Sequence, residues 1–149
     1  MFTQQEKGEV FRALHERERA FIIPNPWDAG TARMLAHMGF EALATTSAGH
    51  AFTLGQKDGT VGREGTLENV AAIAAATDLP VNGDLENGFG DSPETAAETI
   101  RLAAAAGLVG DRLRTRRESR ERRFTSSSGR SSASRRLPRL RMRCRFRSC

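Results

Sequence analysis

The segment "LPVNGDLENGFG", residues 79–90, indicates the fold class because a short apolar strand passes directly into a turn that carries two carboxylates. Strands buried on both faces of a parallel sheet have such short apolar runs. In parallel β/α folds, functional side chains follow the carboxyl ends of the strands. We therefore expect Asp84 and Glu86 to lie on the functional face of a parallel α/β sheet.

Strands and helices alternate on both sides of this segment. The predicted strands cover 20–27, 42–49, 79–90 and the start of a fourth at 108–110. The predicted helices cover 4–19, 29–39, 67–77 and 91–107. The last three helices have residues suited to capping an amino terminus: Asp28, Thr66 and Ser92. This alternation predicts parallel β/α units.

The number of units distinguishes two architectures. A closed (β/α)8 barrel of the TIM type needs about 250 residues, so this chain would contain only its N-terminal three to four β/α units. An open doubly wound sheet more usually has a G-x-G-x-x-G turn after its first strand, whereas this chain has "NPWDAG" at residues 25–30. The sequence therefore favours the TIM-barrel type.

Charge divides the chain at Gly110. Residues 1–110 contain 8 Lys+Arg and 15 Asp+Glu, a net charge of −7, whereas residues 111–149 contain 15 arginines and 3 acidic residues, a net charge of +12. The acidic part offers no electrostatic basis for binding nucleic acid. The sequence shows neither a signal-peptide pattern nor an apolar stretch near the roughly 20 residues of a membrane span. We expect a soluble cytoplasmic protein with no membrane partner.

The spacing of the two carboxylates suggests a metal site. Asp84 and Glu86 are two residues apart on a segment predicted to be extended, so both can point to the same side of the strand. Mg2+ takes one or two carboxylates together with waters and substrate oxygens. A solvated turn whose acids cap the next helix explains the same spacing equally well, so spacing leaves both interpretations open.

Three motifs resemble the isocitrate lyase/phosphoenolpyruvate mutase family. They are "PNPWDAGTARMLAHMGFEAL" (24–43), "TTSAGHAFTLGQKDG" (45–59) and "NGDLENGFG" (82–90), and the resemblance runs in order and without a gap over residues 3–110. It looks closest to small bacterial members of the phosphonomutase-like or carboxyvinyl-carboxyphosphonate phosphorylmutase-like type. The resemblance implies a Mg2+-dependent lyase or mutase that cleaves or rearranges a C–C or P–C bond of a small 2-oxo acid or enolpyruvate-type substrate through an enolate. It also implies a homo-oligomer for the intact enzyme.

The same resemblance assigns roles to individual residues. Asp84 would be the main Mg2+ ligand, and Glu86, where many members have Asp, would bind through a metal-bound water. Asp58 would be the catalytic loop carboxylate that closes on metal and substrate. The carboxylate and carbonyl of the substrate would be held by three consecutive residues: Ser47, Ala48 and Gly49. Trp27 could line the pocket or pack at the barrel rim.

The sequence departs from the family pattern after Gly110. The family's fourth strand continues into a motif like S-I-E-D, whose glutamate helps to hold the metal's waters, but here "DRLRTRRE" (111–118) follows. Codons exist for which one inserted G makes the bases of residues 110–118 read G-G-S-I-E-D-A-T-G. We therefore predict a frameshift at codon 110 and an out-of-frame, disordered Arg/Ser-rich tail over 111–149. An intact reading frame without a G run at that codon would contradict this.

A frameshifted tail and a genuine basic tail predict different properties for the chain. If the barrel cannot close, the edge of the fourth strand exposes unpaired backbone groups, so we expect the fragment to be poorly stable and inactive. The alternative is a non-enzymatic protein whose basic tail binds nucleic acid, and that binding would weaken steeply with salt. The tail has few aromatic residues among its arginines, so we expect no nucleic-acid partner.

Overall fold

A computed structural model describes residues 2–114. The helices in this part of the chain are α1 (Gln4–Glu16), α2 (Ala29–His37), α3 (Ser47–Thr53), α4 (Gly62–Ala75) and α5 (Pro93–Ala105). The strands are β1 (Leu43–Ala44), β2 (Val81–Asp84) and β3 (Gly110–Arg112). The predicted tail from residue 115 onward lies outside the described residues. In the described part, no helix is long and apolar enough to cross a membrane.

The strands form a parallel sheet in the order β1-β2-β3. Leu43 lies opposite Val81 in the first pair, and Asp84 lies opposite Arg112 in the second. Because all three strands run in the same direction, their carboxyl ends meet at one edge of the sheet. The parallel sheet with its connecting helices confirms the predicted α/β class.

Two of the three predicted helix caps are confirmed. Asp28 accepts a hydrogen bond from the Thr31 N–H at 2.7 Å and forms a capping box at the start of α2. Ser92 caps α5, whose first residue is Pro93. The prediction for Thr66 is wrong, because α4 begins four residues earlier and the Thr66 hydroxyl donates to the Gly62 carbonyl within the helix.

Two strand predictions need correction. Residues 20–27 form no strand, because Pro24 and Pro26 lack the N–H groups that a ladder requires. The segment still lies beside β1, since the Ala44 N–H donates to the Pro24 carbonyl at 3.0 Å. The strand predicted over 42–49 covers only Leu43–Ala44. Thr46 then caps α3 by accepting from the Gly49 N–H, which turns Ser47–Gly49 into the first turn of a helix.

The core has two separate clusters of buried residues. The main cluster joins the sheet to α2, α4 and α5: Ala32, Leu43, Val70, Ile73, Val81, Leu85, Ala103 and Leu108. A second cluster gathers Phe11 and Leu14 of α1 with Ala42, just before β1. The Gln4 amide also donates to the Leu108 carbonyl at 2.7 Å, just before β3. Helix α1 therefore covers the amino ends of the strands, and the carboxyl ends remain for the site.

Candidate active site

Asp84 and Ser47 meet at the carboxyl ends of β1 and β2. The Asp84 N–H donates to the Thr45 hydroxyl at 2.9 Å, which fixes the end of β2 beside the segment that follows β1. The Asp84 carboxylate accepts from the Ser47 hydroxyl at 3.2 Å and from its N–H at 3.4 Å. The Asp84 side chain is only 17% exposed. The structure therefore brings together one residue predicted to bind metal and one predicted to bind substrate.

Glu86 reaches this group through a turn and not through an extended strand. Strand β2 ends at Asp84, and Glu86 has φ +51°, so the prediction that the two residues share a face of one extended segment is wrong. The Glu86 N–H donates to the Asp84 carboxylate at 3.3 Å. The turn is closed by a hydrogen bond of 2.9 Å from the Gly88 N–H to the Leu85 carbonyl. This turn places a second carboxylate beside Asp84.

Asp58 approaches from the loop between α3 and α4. A methyl group added at the neighbouring Gly59 would lie 3.7 Å from the Glu86 carboxylate, so the loop passes close to the turn after β2. Oδ1 of Asp58 is buried and has no hydrogen-bond partner within residues 2–114. A buried carboxylate oxygen without a donor is costly unless a cation or another donor approaches it.

The three carboxylates interact electrostatically. Burial raises the pKa of Glu86, the negative charge of Asp58 raises it further, the positive charge of Arg114 lowers it, and the charge of Asp84 raises it. A carboxyl whose pKa is raised by neighbouring negative charges lies in surroundings that a bound cation would relieve. The electrostatics of the site therefore favour a positive partner.

Replacing Glu86 with Gln is expected to raise the free energy of unfolding near neutral pH and to reduce its pH dependence. Because the pKa of Glu86 in the folded chain lies above the ordinary value of 4.5, its proton favours folding at low pH. That contribution is lost as the pH rises from 4.5 through the raised pKa. Urea unfolding followed by circular dichroism over this pH range measures the effect.

Glu68, an exposed residue of α4, provides the matched control. The Glu68→Gln variant should give a stability curve parallel to that of the wild type. A Glu86→Gln curve that is also parallel to the wild-type curve would contradict the prediction.

Arg114 is a member of the site that sequence reasoning missed. Its guanidinium donates to the Asp84 carboxylate and, at 2.7 Å, to the Ser47 hydroxyl. Its side chain is 16% exposed. The charge pattern predicts that this residue belongs to the tail after Gly110, yet β3 extends to Arg112 and brings Arg114 to the sheet edge. The rule that points to Asp84, a polar residue at the carboxyl end of a strand, also applies to Arg114, which follows β3 by two residues.

The donor set fits a hard cation, although the site is not preassembled around one. Within residues 2–114, no three His, Cys, Asp or Glu side chains are gathered in the geometry of a metal site. Carboxylate oxygens are nevertheless the ligands that Mg2+ prefers, and it needs only one or two of them with waters. The buried Oδ1 of Asp58, without a donor, and the Asp84 carboxylate are the groups that could hold it.

The three predicted substrate-binding residues form the first turn of α3. Ser47 and Gly49 are buried, and Ala48 is half-buried. Gly49 lies against Trp27 so closely that a methyl group added there would be 2.4 Å from the indole Cδ1. Trp27 itself is 46% exposed and meets Phe52 edge to face at 6.4 Å. Trp27 therefore packs against the segment predicted to bind substrate.

Known proteins resemble the chain in both sequence and fold. The family model of phosphoenolpyruvate phosphomutase matches residues 11–136, a range that extends past Gly110. The solved structure of a candidate lyase/mutase from Burkholderia cenocepacia J2315 is 65% identical in sequence and has a TM-score of 0.72. The match covers 72% of this chain and 39% of that protein. A candidate phosphonomutase from the same organism is 42% identical, with a TM-score of 0.71 and coverage of 74% of this chain and 44% of that one.

A curated enzyme is also similar. The 2,3-dimethylmalate lyase of Eubacterium barkeri is 34% identical over 102 residues, which are 66% of this chain and 34% of that protein. The chain thus spans less than half the length of each of these three proteins. The solved relatives confirm the predicted TIM-barrel type of α/β fold. With most of its length matched by the family model, the chain belongs to the isocitrate lyase/phosphoenolpyruvate mutase family.

Proposed function

We propose that residues 2–107 supply part of the active site of a Mg2+-dependent lyase or mutase acting on a small 2-oxo acid. The reaction cleaves or rearranges a C–C or P–C bond and passes through an enolate. The supporting observation is that Ser47 hydrogen-bonds the Asp84 carboxylate at the carboxyl ends of adjacent parallel strands. Family membership supports the lyase or mutase class.

Each residue of the site has a role in this proposal. Asp84 is the direct metal ligand, Glu86 binds through a metal-bound water, and Asp58 completes the site from its loop. When bound, Mg2+ supplies Lewis-acid stabilisation of the negative oxygen of an enolate. The oxygens of the substrate carboxylate and carbonyl are held by the first turn of α3: Ser47, Ala48 and Gly49.

The Ser47 donors explain why substrate and metal would share one small site. Its hydroxyl and N–H both donate to Asp84 in the structure. A substrate carboxylate placed here would receive the same donors, while Asp84 would turn to the cation. Fixed donors aimed at developing negative charge stabilise an enolate because they need no reorganisation during the reaction.

We also propose that the 149-residue chain has no activity alone. It aligns with only 39% of the length of its 65%-identical relative, and in this proposal side chains from outside the aligned part are needed to complete the site. In addition, the Arg114 guanidinium is already bound to the carboxylate that the cation requires.

A chimeric protein tests the proposed function. Residues 2–107 of this chain would replace the matching part of the Burkholderia cenocepacia lyase/mutase, with the junction in the turn at Gly107 after α5. We expect turnover of at least one compound among oxaloacetate, 2-methylisocitrate-type acids and phosphonopyruvate, abolished by EDTA and restored by Mg2+. A folded chimera that neither turns over any of them nor binds oxalate, an enolate analogue, would contradict the proposal.

A further inference from the structure

We propose that Arg114 is an internal counter-ion that occupies the cation position beside Asp84 and keeps a divalent cation out of the site. This inference rests on the proposed function in that it takes Asp84 to be the metal ligand. In this chain the Arg114 side chain occupies the position at Asp84 where the metal would bind.

The guanidinium is held at this position by several hydrogen bonds. The same nitrogen donates to the Asp84 carboxylate and to the Ser47 hydroxyl, which itself donates to Asp84. The Arg114 main chain is also fixed, because its N–H donates to the Glu86 carbonyl. Two residues earlier in the chain, the Arg112 carbonyl accepts a hydrogen bond of 3.1 Å from the Leu85 N–H. The arginine therefore continues the pairing of β2 with β3 and points into the site.

The charges around Arg114 are those expected around a bound cation. Burial alone would lower the pKa of Arg114, but the hydrogen bond to Asp84 and the negative charges of Asp84, Asp58 and Glu86 raise it. The guanidinium consequently stays charged at every accessible pH, so its own deprotonation cannot release it from the site. All three carboxylates assigned to metal binding act on this single positive group.

Burial makes the guanidinium difficult to replace. The Arg114 and Asp84 side chains are 16% and 17% exposed, so water screens the pair weakly. A divalent cation would have to displace the guanidinium from Asp84 and would be repelled by it while approaching. The Ser47 hydroxyl would lose its donor at the same time. Removing the guanidinium should therefore increase the affinity of the site for the metal.

The test compares Mn2+ and Mg2+ binding in full-length variants. Arg114→Gln removes the guanidinium, and we expect the dissociation constant for Mn2+, measured by electron paramagnetic resonance, to fall at least about tenfold. Mg2+ should compete with the bound Mn2+. Arg112→Gln makes the same change of net charge at an exposed residue of β3 and should leave the affinity unchanged. Adding Asp84→Asn to Arg114→Gln should abolish the gain.

Thermal unfolding provides a second measurement without activity. Arg114→Gln leaves the Asp84 carboxylate without its cation, so the variant should unfold at a lower temperature than the wild type in the absence of metal. Mg2+ should recover this loss in the variant and leave the wild type unchanged. Arg114→Lys keeps the charge but cannot match the hydrogen bonds of the planar guanidinium. Its affinity for Mn2+ should therefore lie between those of the wild type and Arg114→Gln.

The results that would overturn this inference differ from those that would contradict the proposed function. Equal Mn2+ affinity in the wild type, Arg114→Gln and Arg114→Lys overturns the inference. If Arg114→Gln does not unfold cooperatively, the Mn2+ affinities of Arg114→Lys and the wild type are compared instead, and equal values overturn the inference. Stronger metal binding by Arg112→Gln would also overturn it. The chimera joined at Gly107 lacks Arg114, so its Mg2+-dependent turnover reports on the proposed function alone.

Discussion

Replacing Asp84 with Asn in the chimera is expected to lower kcat/KM by at least about 100-fold. Even the loss of a residue that only hydrogen-bonds a metal ligand lowers metal affinity or activity by about 10- to 100-fold. The amide has nearly the same shape as the carboxylate. It keeps an oxygen that can accept from the Ser47 hydroxyl, which lies 3.2 Å from the carboxylate in the unsubstituted chain. It carries no negative charge, so it binds Mg2+ poorly. The loss should therefore appear in metal affinity as well as in turnover.

Steady-state kinetics at several Mg2+ concentrations measure this effect. Asp78→Asn is the matched control, because Asp78 is exposed and lies just before β2, at the amino end of the strand. That variant should keep wild-type kinetics. An Asp84→Asn chimera with unchanged Mg2+ dependence would show that Asp84 is not the metal ligand, and the proposed site would have to be abandoned.

Replacing Gly88 with Ala is expected to lower the free energy of unfolding of the 149-residue chain by about 2–3 kcal/mol. Gly88 has φ +82°, a conformation that costs an L-residue about 1–2 kcal/mol. The new methyl group would lie 3.0 Å from Cβ and 3.1 Å from Cα of Ala96 in α5, where the backbone cannot turn away. Overpacking of this kind adds about 1 kcal/mol or more.

Urea unfolding of the wild type, Gly88→Ala and Gly55→Ala separates the cost of the positive φ from the cost of the steric clash. Gly55 has φ +67° but no atom within 4 Å of an added methyl group, so Gly55→Ala should show the backbone cost alone. The difference between the two variants then measures the clash with α5. Equal losses in both variants would contradict the proposed contact. Because Gly88 closes the turn that contains Glu86, the variant should also disturb the position of that carboxylate.

Features that depend on neighbouring residues could be predicted well. The caps at Asp28 and Ser92 need a side-chain oxygen and an N–H only three residues further on, so the local sequence is sufficient. Thr66 has the same chemistry, but a cap also depends on where the helix begins. Helix α4 begins at Gly62, and nothing local to Thr66 specifies that start.

The errors at the strand ends have a common cause. An apolar run predicts a buried extended segment, but whether it joins the ladder depends on the segment beside it. Residues 20–27 run beside β1 with their prolines unable to donate, so they form no strand. The prediction for Asp84 and Glu86 assumes one extended segment, whereas the structure has a turn with φ +51° at Glu86, whose N–H donates to the Asp84 carboxylate.

The sequence was sufficient for the α/β class, for the family and for the positions of Asp58, Ser47 and Asp84 in its motifs, because these follow from local patterns and their order along the chain. The partner of Asp84 could not be found in this way. Arg114 lies 30 residues from Asp84 and 67 from Ser47, and the contact exists because β3 pairs beside β2 in one particular register. Charge composition placed this arginine in a basic tail, whereas the packing of three parallel strands placed it against the carboxylate that a metal would need.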